Sequence, residues 1–160
     1  MKFISEEVIN EIVEQFESNT ELFDEKVKSL GNTQPNILAY ILSDEFNILK
    51  DKEREFLLYS TTVICSSILQ DTEISIVEQD TIGEMEEMNW EAFQGQKGTF
   101  RERLDLFFEN YPQEDLLAFV EDSLFVDDDE KDEVLTKVGR DVIFVALRSI
   151  IDVLVAQESV

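Results

Sequence analysis

The sequence predicts an all-α protein that folds as a single compact bundle of about eight helices. Apolar residues recur at spacings of three and four along most of the chain, which is the period of amphipathic helices. Two apolar stretches, residues 56–70 and 142–156, have the length of buried helices. Only five glycines and two prolines occur in 160 residues, so few positions favour irregular structure.

The first three predicted helices are short and amphipathic. The first covers about residues 5–18, where a serine can cap the N-terminus and acidic residues suit the first turn. The second covers about residues 20–30, with Gly31 expected just beyond its end. The third covers about residues 36–44 and follows Pro35, because proline is tolerated in a first turn.

Two long helices are predicted to form the centre of the bundle. The fourth helix covers about residues 51–70 and the last helix about residues 135–157. We expect them to touch through residues 56–69 and 142–154, which are apolar on several sides. Five hydroxyl residues of the fourth helix are interpreted as small residues that allow close helix approach and bond back to the preceding turn. They are Ser60, Thr61, Thr62, Ser66 and Ser67.

Between the central helices, residues 72–83 alternate in a way that suits a short strand. No partner strand is evident, so we expect a loop there. Further helices are predicted over residues 84–93 and 100–109, separated by a glycine-containing turn. Another begins at the Tyr111-Pro112 turn and ends near Leu124.

The chain, residues 1–160, is predicted to be one domain with an internal similarity. The segment ILAYIL, which begins at Ile37, resembles LLAFVE, which begins at Leu116. Each follows a proline-containing turn and precedes a long apolar helix. One interpretation is a pseudo-twofold duplication of a four-helix unit, residues 1–70 and 81–157, which would leave a groove or surface between equivalent faces. The other is chance similarity between leucine-rich helices.

The chain is strongly acidic, with 37 acidic and 13 basic residues and a net charge of −24. This charge is divided almost evenly between the two halves. Such a field repels nucleic acids and anionic membranes, so we expect neither as a partner. Attraction to a basic protein and a merely solvated surface both remain open.

Composition also restricts the compartment and the chemistry. The single cysteine, Cys65, lies in an apolar run, where burial should raise its pKa and keep it a thiol. A lone thiol and the lack of a secretory signal favour a cytoplasmic protein. No histidine occurs, which excludes the commonest general base and histidine-ligated metals. No phosphate-binding loop is present, so no catalytic residue, cofactor or metal site is predicted.

Two charged features remain as candidate sites. Asp127, Asp128, Asp129 and Glu130 form an acidic run that lacks the EF-hand pattern, so we expect a solvated connection rather than a cation site. Arg148 and Asp152 are spaced for an ion pair on the last helix, and we expect them at the rim of a helix interface.

A third candidate is the set of large apolar residues on the helix predicted at residues 84–93. Met85, Met88 and Trp90 suit either an adaptable contact surface or an ordinary core. We therefore consider them, together with the acidic run, as a candidate interaction surface.

The leading functional hypothesis is a non-enzymatic protein-interaction or regulatory module. It would bind a protein partner, or a second copy of itself as a homodimer, through an acidic and partly apolar helical surface. Two alternatives are an acidic inhibitor that mimics nucleic acid and a carboxylate-based, metal-dependent enzyme. The last would require several acids to converge in one cleft.

Overall fold

The computed structural model describes residues 1–125 and 135–158 and confirms the predicted all-helical bundle. These residues contain eight α-helices and no strand. The α-helices are α1 (Glu6–Ser18), α2 (Thr20–Thr33), α3 (Pro35–Ile41), α4 (Asp51–Leu69), α5 (Gln79–Gln94), α6 (Phe100–Phe108), α7 (Glu114–Leu124) and α8 (Lys137–Glu158), with a short 3₁₀ helix, Asp44–Ile48, between α3 and α4.

The two central helices, α4 and α8, pack against each other as predicted. Val63, Ile64 and Ile68 of α4 are fully buried, as are Phe144 and Ile150 of α8. Burying an apolar side chain of this size stabilises the fold by about 1.5–3 kcal/mol. In the part of the chain that the structure describes, no helix has the length and apolar composition needed to cross a membrane.

Three predicted helix boundaries differ from the structure. Helix α2 continues through Gly31, which therefore is not the terminating glycine; a Cβ there would lie 3.3 Å from Leu38 Cδ2. The third helix is shorter than predicted, because a 3₁₀ helix takes over at Asp44. Helix α5 begins at Gln79, five residues before the predicted start.

Residues 72–78 form an irregular segment, as expected, and one buried side chain holds it in place. The Gln34 amide donates hydrogen bonds to the carbonyls of Ile74 at 3.1 Å and Ser75 at 3.0 Å. Its oxygen accepts a hydrogen bond from the Val77 N–H at 2.9 Å. Because a side-chain amide has the same donor and acceptor as a peptide group, Gln34 replaces the missing neighbouring strand.

A second buried glutamine makes the same arrangement in the other half of the chain. The Gln113 oxygen accepts a hydrogen bond from the Ile4 N–H at 3.0 Å, and its amide donates to the Lys2 carbonyl at 3.1 Å. Gln34 and Gln113 directly precede α3 and α7 and lie 79 positions apart. Each holds the segment that precedes the first helix of the other half. This reciprocal binding by Gln34 and Gln113 favours the duplication hypothesis, which stays a prediction.

One buried carboxylate joins the N-termini of the two central helices. Glu53 Oε1 accepts a hydrogen bond from the Lys50 N–H at 2.9 Å. Glu53 Oε2 accepts two more, from the N–H and the hydroxyl of Thr136, both at 3.0 Å. Thr136 in turn caps α8 by accepting from the Gly139 N–H at 2.9 Å. A carboxylate is favourable here because both helix dipoles direct positive charge toward it.

We expect Gln34→Ala and Gln113→Ala each to lower the free energy of unfolding by about 2–4 kcal/mol. Each substitution leaves buried backbone groups without partners, and each such group costs about 1–3 kcal/mol. Urea denaturation measures the loss. Gln15→Ala, at an exposed position of α1, is the control and should change stability by less than about 0.5 kcal/mol. A loss no larger than that of the control would contradict the role assigned to the two buried amides.

Gly139→Ala should destabilise the protein by about 2–3 kcal/mol, because the added Cβ would lie 1.7 Å from Glu53 Oε2 and displace that carboxylate from Thr136. In a Glu53→Ala background the same substitution should cost much less, because only the 2.9 Å contact with Thr136 Oγ1 remains and the helix-propensity gain of alanine over glycine, up to about 1 kcal/mol, offsets it. A double-mutant cycle by chemical denaturation measures this coupling. Equal costs in both backgrounds would show that Glu53 does not set the requirement for glycine.

Candidate functional site

A cleft between α3 and α5 brings together polar groups from both helices and from the 3₁₀ helix. Its volume is about 260 Å³. Alanine and isoleucine side chains supply apolar surface, and amide, hydroxyl and carboxyl groups supply polar atoms. The lining residues are Asn36, Ala39, Tyr40, Ser43, Glu45, Gln79, Ile82 and Gly83. We call this the α3–α5 cleft.

Two carboxyl groups meet beside this cleft. The Tyr40 hydroxyl donates a short hydrogen bond to Glu86 Oε2. The charge of Glu86 and a hydrogen bond between the two side chains also act on Glu45, which lies on the 3₁₀ helix, and favour its protonated form.

The surroundings of Glu45 favour the protonated form of its carboxyl group. Although Glu45 is exposed as a residue, partial burial of its carboxyl group raises its pKa to about 8, and the hydrogen bond and negative charge of Glu86 add to this effect. Burial also raises the pKa of Tyr40 above its usual value, again with help from Glu86. Below about pH 8 the Glu45 carboxyl group is therefore mainly protonated.

Sequence reasoning missed this pair. Tyr40 lies in the short third helix, where nothing in the sequence marks it as a site residue, and Glu86 is one of several acids on α5. The two residues are 46 positions apart, so no local spacing connects them. Within residues 1–125 and 135–158, no three acidic, cysteine or histidine side chains are placed to hold a metal ion. The α3–α5 cleft instead has the Glu45 carboxyl group and the Tyr40 phenol in its lining, with Glu86 beside it.

The Arg148–Asp152 pair forms as predicted, but its expected position at an interface rim is wrong. Arg148 Nε lies 3.0 Å and 3.1 Å from the two Asp152 oxygens, and the side chains are only 13% and 14% exposed. Asp152 also accepts hydrogen bonds from the Tyr111 hydroxyl at 2.6 Å and the Asn89 amide at 3.1 Å. These partners come from other helices and turns, so the pair joins elements of the bundle. Burial and the Asp152 charge raise the pKa of Tyr111, while Arg148 opposes them.

Arginine side chains are turned onto aromatic rings. Four of the five arginines in the sequence lie over a ring, an arrangement that favours a cation electrostatically. The distances from guanidinium carbon to ring centroid are 3.8 Å for Arg101 on Phe125, 3.9 Å for Arg103 on Phe93, 4.3 Å for Arg140 on Phe100 and 3.7 Å for Arg148 on Tyr111. Arg103, Arg140 and Arg148 are thus half-buried against rings of the bundle, whereas Arg101 and Phe125 are both exposed.

The candidate surface on α5 is not a single patch. Met88 is 64% exposed, whereas Met85 and Trp90 are partly buried and pack against the core. Since a helix turns by about 100° per residue, Met88 and Trp90 point to nearly opposite sides of α5. The other four predicted site residues, Asp127, Asp128, Asp129 and Glu130, lie outside the described residues.

The polar residues within α4 follow the prediction in part. Cys65 is buried, and burial raises its pKa to about 12, so it stays a thiol as predicted. The hydroxyls of Thr62 and Ser67 donate to carbonyls four residues earlier, at 2.7 Å and 2.8 Å. Ser60 and Thr61 do not follow this pattern, because their buried hydroxyls have no hydrogen-bond partner among the described residues. They act as small residues in the core.

The chain matches no protein-family model, no curated protein and no solved structure. Its function is therefore argued from the geometry and charge of its own residues.

We expect the glutamate pair to make stability depend on pH. The folded state binds the Glu45 proton more tightly than the unfolded chain, which favours folding in acid and loses this effect as the pH rises through about 8. Glu86→Gln keeps an acceptor for Tyr40 but removes the repulsion. The fall in melting temperature between about pH 5 and pH 8 should therefore be smaller in this variant than in the wild type.

Glu87→Gln is the matched control, because it removes the same charge from an exposed neighbouring position on α5. Calorimetric melting of all three proteins across this pH range makes the comparison. If the melting temperature of Glu86→Gln fell with pH as much as that of the wild type, the coupling between Glu45 and Glu86 would be contradicted. An equally reduced fall in Glu87→Gln would contradict it as well.

Proposed function

We propose that the protein is a non-enzymatic interaction module whose α3–α5 cleft binds an arginine-bearing basic segment of a partner protein. The supporting observation is that Tyr40 and Glu45 line a cleft of about 260 Å³, while Glu86, which accepts a hydrogen bond from the Tyr40 hydroxyl, favours the protonated form of Glu45. Two neighbouring carboxyl groups repel each other when both are ionised. A cation from a partner relieves this repulsion and is itself stabilised.

The chemistry of the pair favours a guanidinium group over other cations. A guanidinium presents parallel N–H donors in a planar fork, which suits two adjacent carboxylates better than a single ammonium does. Binding would release the proton of Glu45, so affinity should rise as the pH increases through about 8. Asn36, Ser43 and Gln79 add polar atoms at the cleft for the backbone of the bound segment.

The charge of the whole chain supports the same partner class. A net charge of −24 draws a basic protein toward the cleft and increases the association rate, with a strong dependence on salt. A cytoplasmic location is part of the proposal and relies on the single cysteine, which suits a reducing compartment.

A nuclear magnetic resonance titration tests this function. The probe is a short glycine–serine peptide with one arginine, added to the labelled full chain at physiological salt. We expect saturable shifts of the Ala39 and Gly83 amides, and an affinity about tenfold weaker in Glu86→Gln, which corresponds to the loss of one charge-assisted contact. Glu87→Gln and a peptide with glutamine in place of arginine are the controls.

The competing hypotheses give different results. A nucleic-acid mimic would bind basic proteins through its whole acidic face, with equal losses in Glu86→Gln and Glu87→Gln. A homodimer would show concentration-dependent mass by light scattering without any peptide. No shift at the α3–α5 cleft with the arginine peptide would overturn the proposed function.

A further inference from the structure

A second cleft, of about 330 Å³, lies between α1 and α7. We call it the α1–α7 cleft. Helix α3 packs against α5, and α7 packs against α1, so each cleft is formed by one helix from each half of the chain. The buried glutamines Gln34 and Gln113 help to bring these helices together, because each binds the segment that leads into the opposing helix.

Seven of the eight residues that line each cleft correspond in position, and the exceptions are Glu45 in the first cleft and Ser123 in the second. Ala39 and Tyr40 of α3 occupy the positions of Ala118 and Phe119 of α7, each pair 79 positions apart. On the opposing helices, Ile82 of α5 corresponds to Ile9 of α1, 73 positions earlier. An alanine, an aromatic ring and an isoleucine therefore recur in the same arrangement. Chance similarity of one helical segment does not explain a match that extends to both walls of a cleft.

The two clefts differ in where their acidic groups lie. Glu86, which lies beside the first cleft, corresponds to Val13, and Glu45 corresponds to Leu124. The phenol of Tyr40 is replaced by the ring of Phe119. The α1–α7 cleft has carboxylates at three other positions. They are Glu6, Asp115 and Asp122, which correspond to Gln79, Asn36 and Ser43. Each cleft thus combines an aromatic wall with carboxylates, although the carboxylates are not the same ones.

One of these carboxylates is already engaged within the fold. Asp115 Oδ2 accepts a hydrogen bond from the Glu6 N–H at 2.9 Å and so caps α1. Asp122 lies on the exposed side of α7, opposite Asn10. It is the carboxylate best placed to meet an incoming cation. The half-buried ring of Phe119 offers a surface on which a guanidinium can stack, as four arginines do inside this protein.

We infer that the α1–α7 cleft is a second binding site for the same class of ligand, an arginine-bearing basic segment of a partner protein, so that one chain binds two such segments. This inference rests on the proposed function of the α3–α5 cleft. Its own support is the recurrence of the lining, together with the charge complementarity of Asp122 and Glu6. The second site lacks a counterpart of Glu45 and Glu86, so its ligand displaces no such proton.

The same peptide titration tests the second site through different amides. The single-arginine peptide should shift Asn10 and Ala118 as well as Ala39 and Gly83, and calorimetry should give two peptides per chain. Asp122→Asn should weaken binding about fivefold at the Asn10 and Ala118 amides alone, and Glu86→Gln should weaken it only at Ala39 and Gly83. Raising the pH through about 8 should strengthen binding at the α3–α5 cleft only.

The outcomes separate the two proposals. One peptide per chain, with shifts confined to Ala39 and Gly83, overturns the second site and leaves the proposed function intact. Shifts confined to Asn10 and Ala118 overturn the proposed function of the α3–α5 cleft. Shifts spread over the whole surface, unchanged by both variants, overturn both proposals. Melting temperatures of Asp122→Asn and Glu86→Gln near that of the wild type show that the losses are not due to unfolding.

Discussion

The close approach of α4 and α8 is the constraint on which the rest of the structure depends. Both helices are buried on several sides, so every other helix packs against this pair or against a neighbour of it. Glu53 sets their relative position, because a buried carboxylate must keep its hydrogen bonds to Thr136 at the start of α8. Gly139 leaves the space that this carboxylate occupies. The hydrogen bonds between Glu53 and Thr136, at the N-termini of α4 and α8, thus specify how the apolar surfaces of the two helices pack.

Buried amide side chains interlock the two halves of the bundle. Gln34 and Gln113 each satisfy backbone groups of a segment that belongs to the other half, and neither segment has a neighbouring strand. With each segment held in this way, α3 packs against α5 and α7 packs against α1. Each cleft therefore lies where a helix from one half of the chain meets a helix from the other.

Most arginines and most acidic residues lie in different parts of the structure. Arginines are scarce, and most of them stabilise aromatic rings and buried acids within the bundle. The acidic excess is left at the surface and in the clefts, where Glu86 favours the protonated form of Glu45. A fold that keeps two like charges together retains an unfavourable interaction that a bound cation can relieve. This is the physical basis for proposing a basic partner.

The sequence by itself determined the helical class, the two central helices and most helix positions, because these depend on local apolar periodicity and on capping residues such as Ser5 and Thr99. It also indicated the similarity between the segments at Ile37 and Leu116. The roles of Gln34 and Glu53, the burial of Arg148 and the meeting of Tyr40 with Glu86 were decided only by the tertiary structure. Each depends on partners that are between 40 and 83 positions away, or on burial by other helices, and no local pattern encodes such distances.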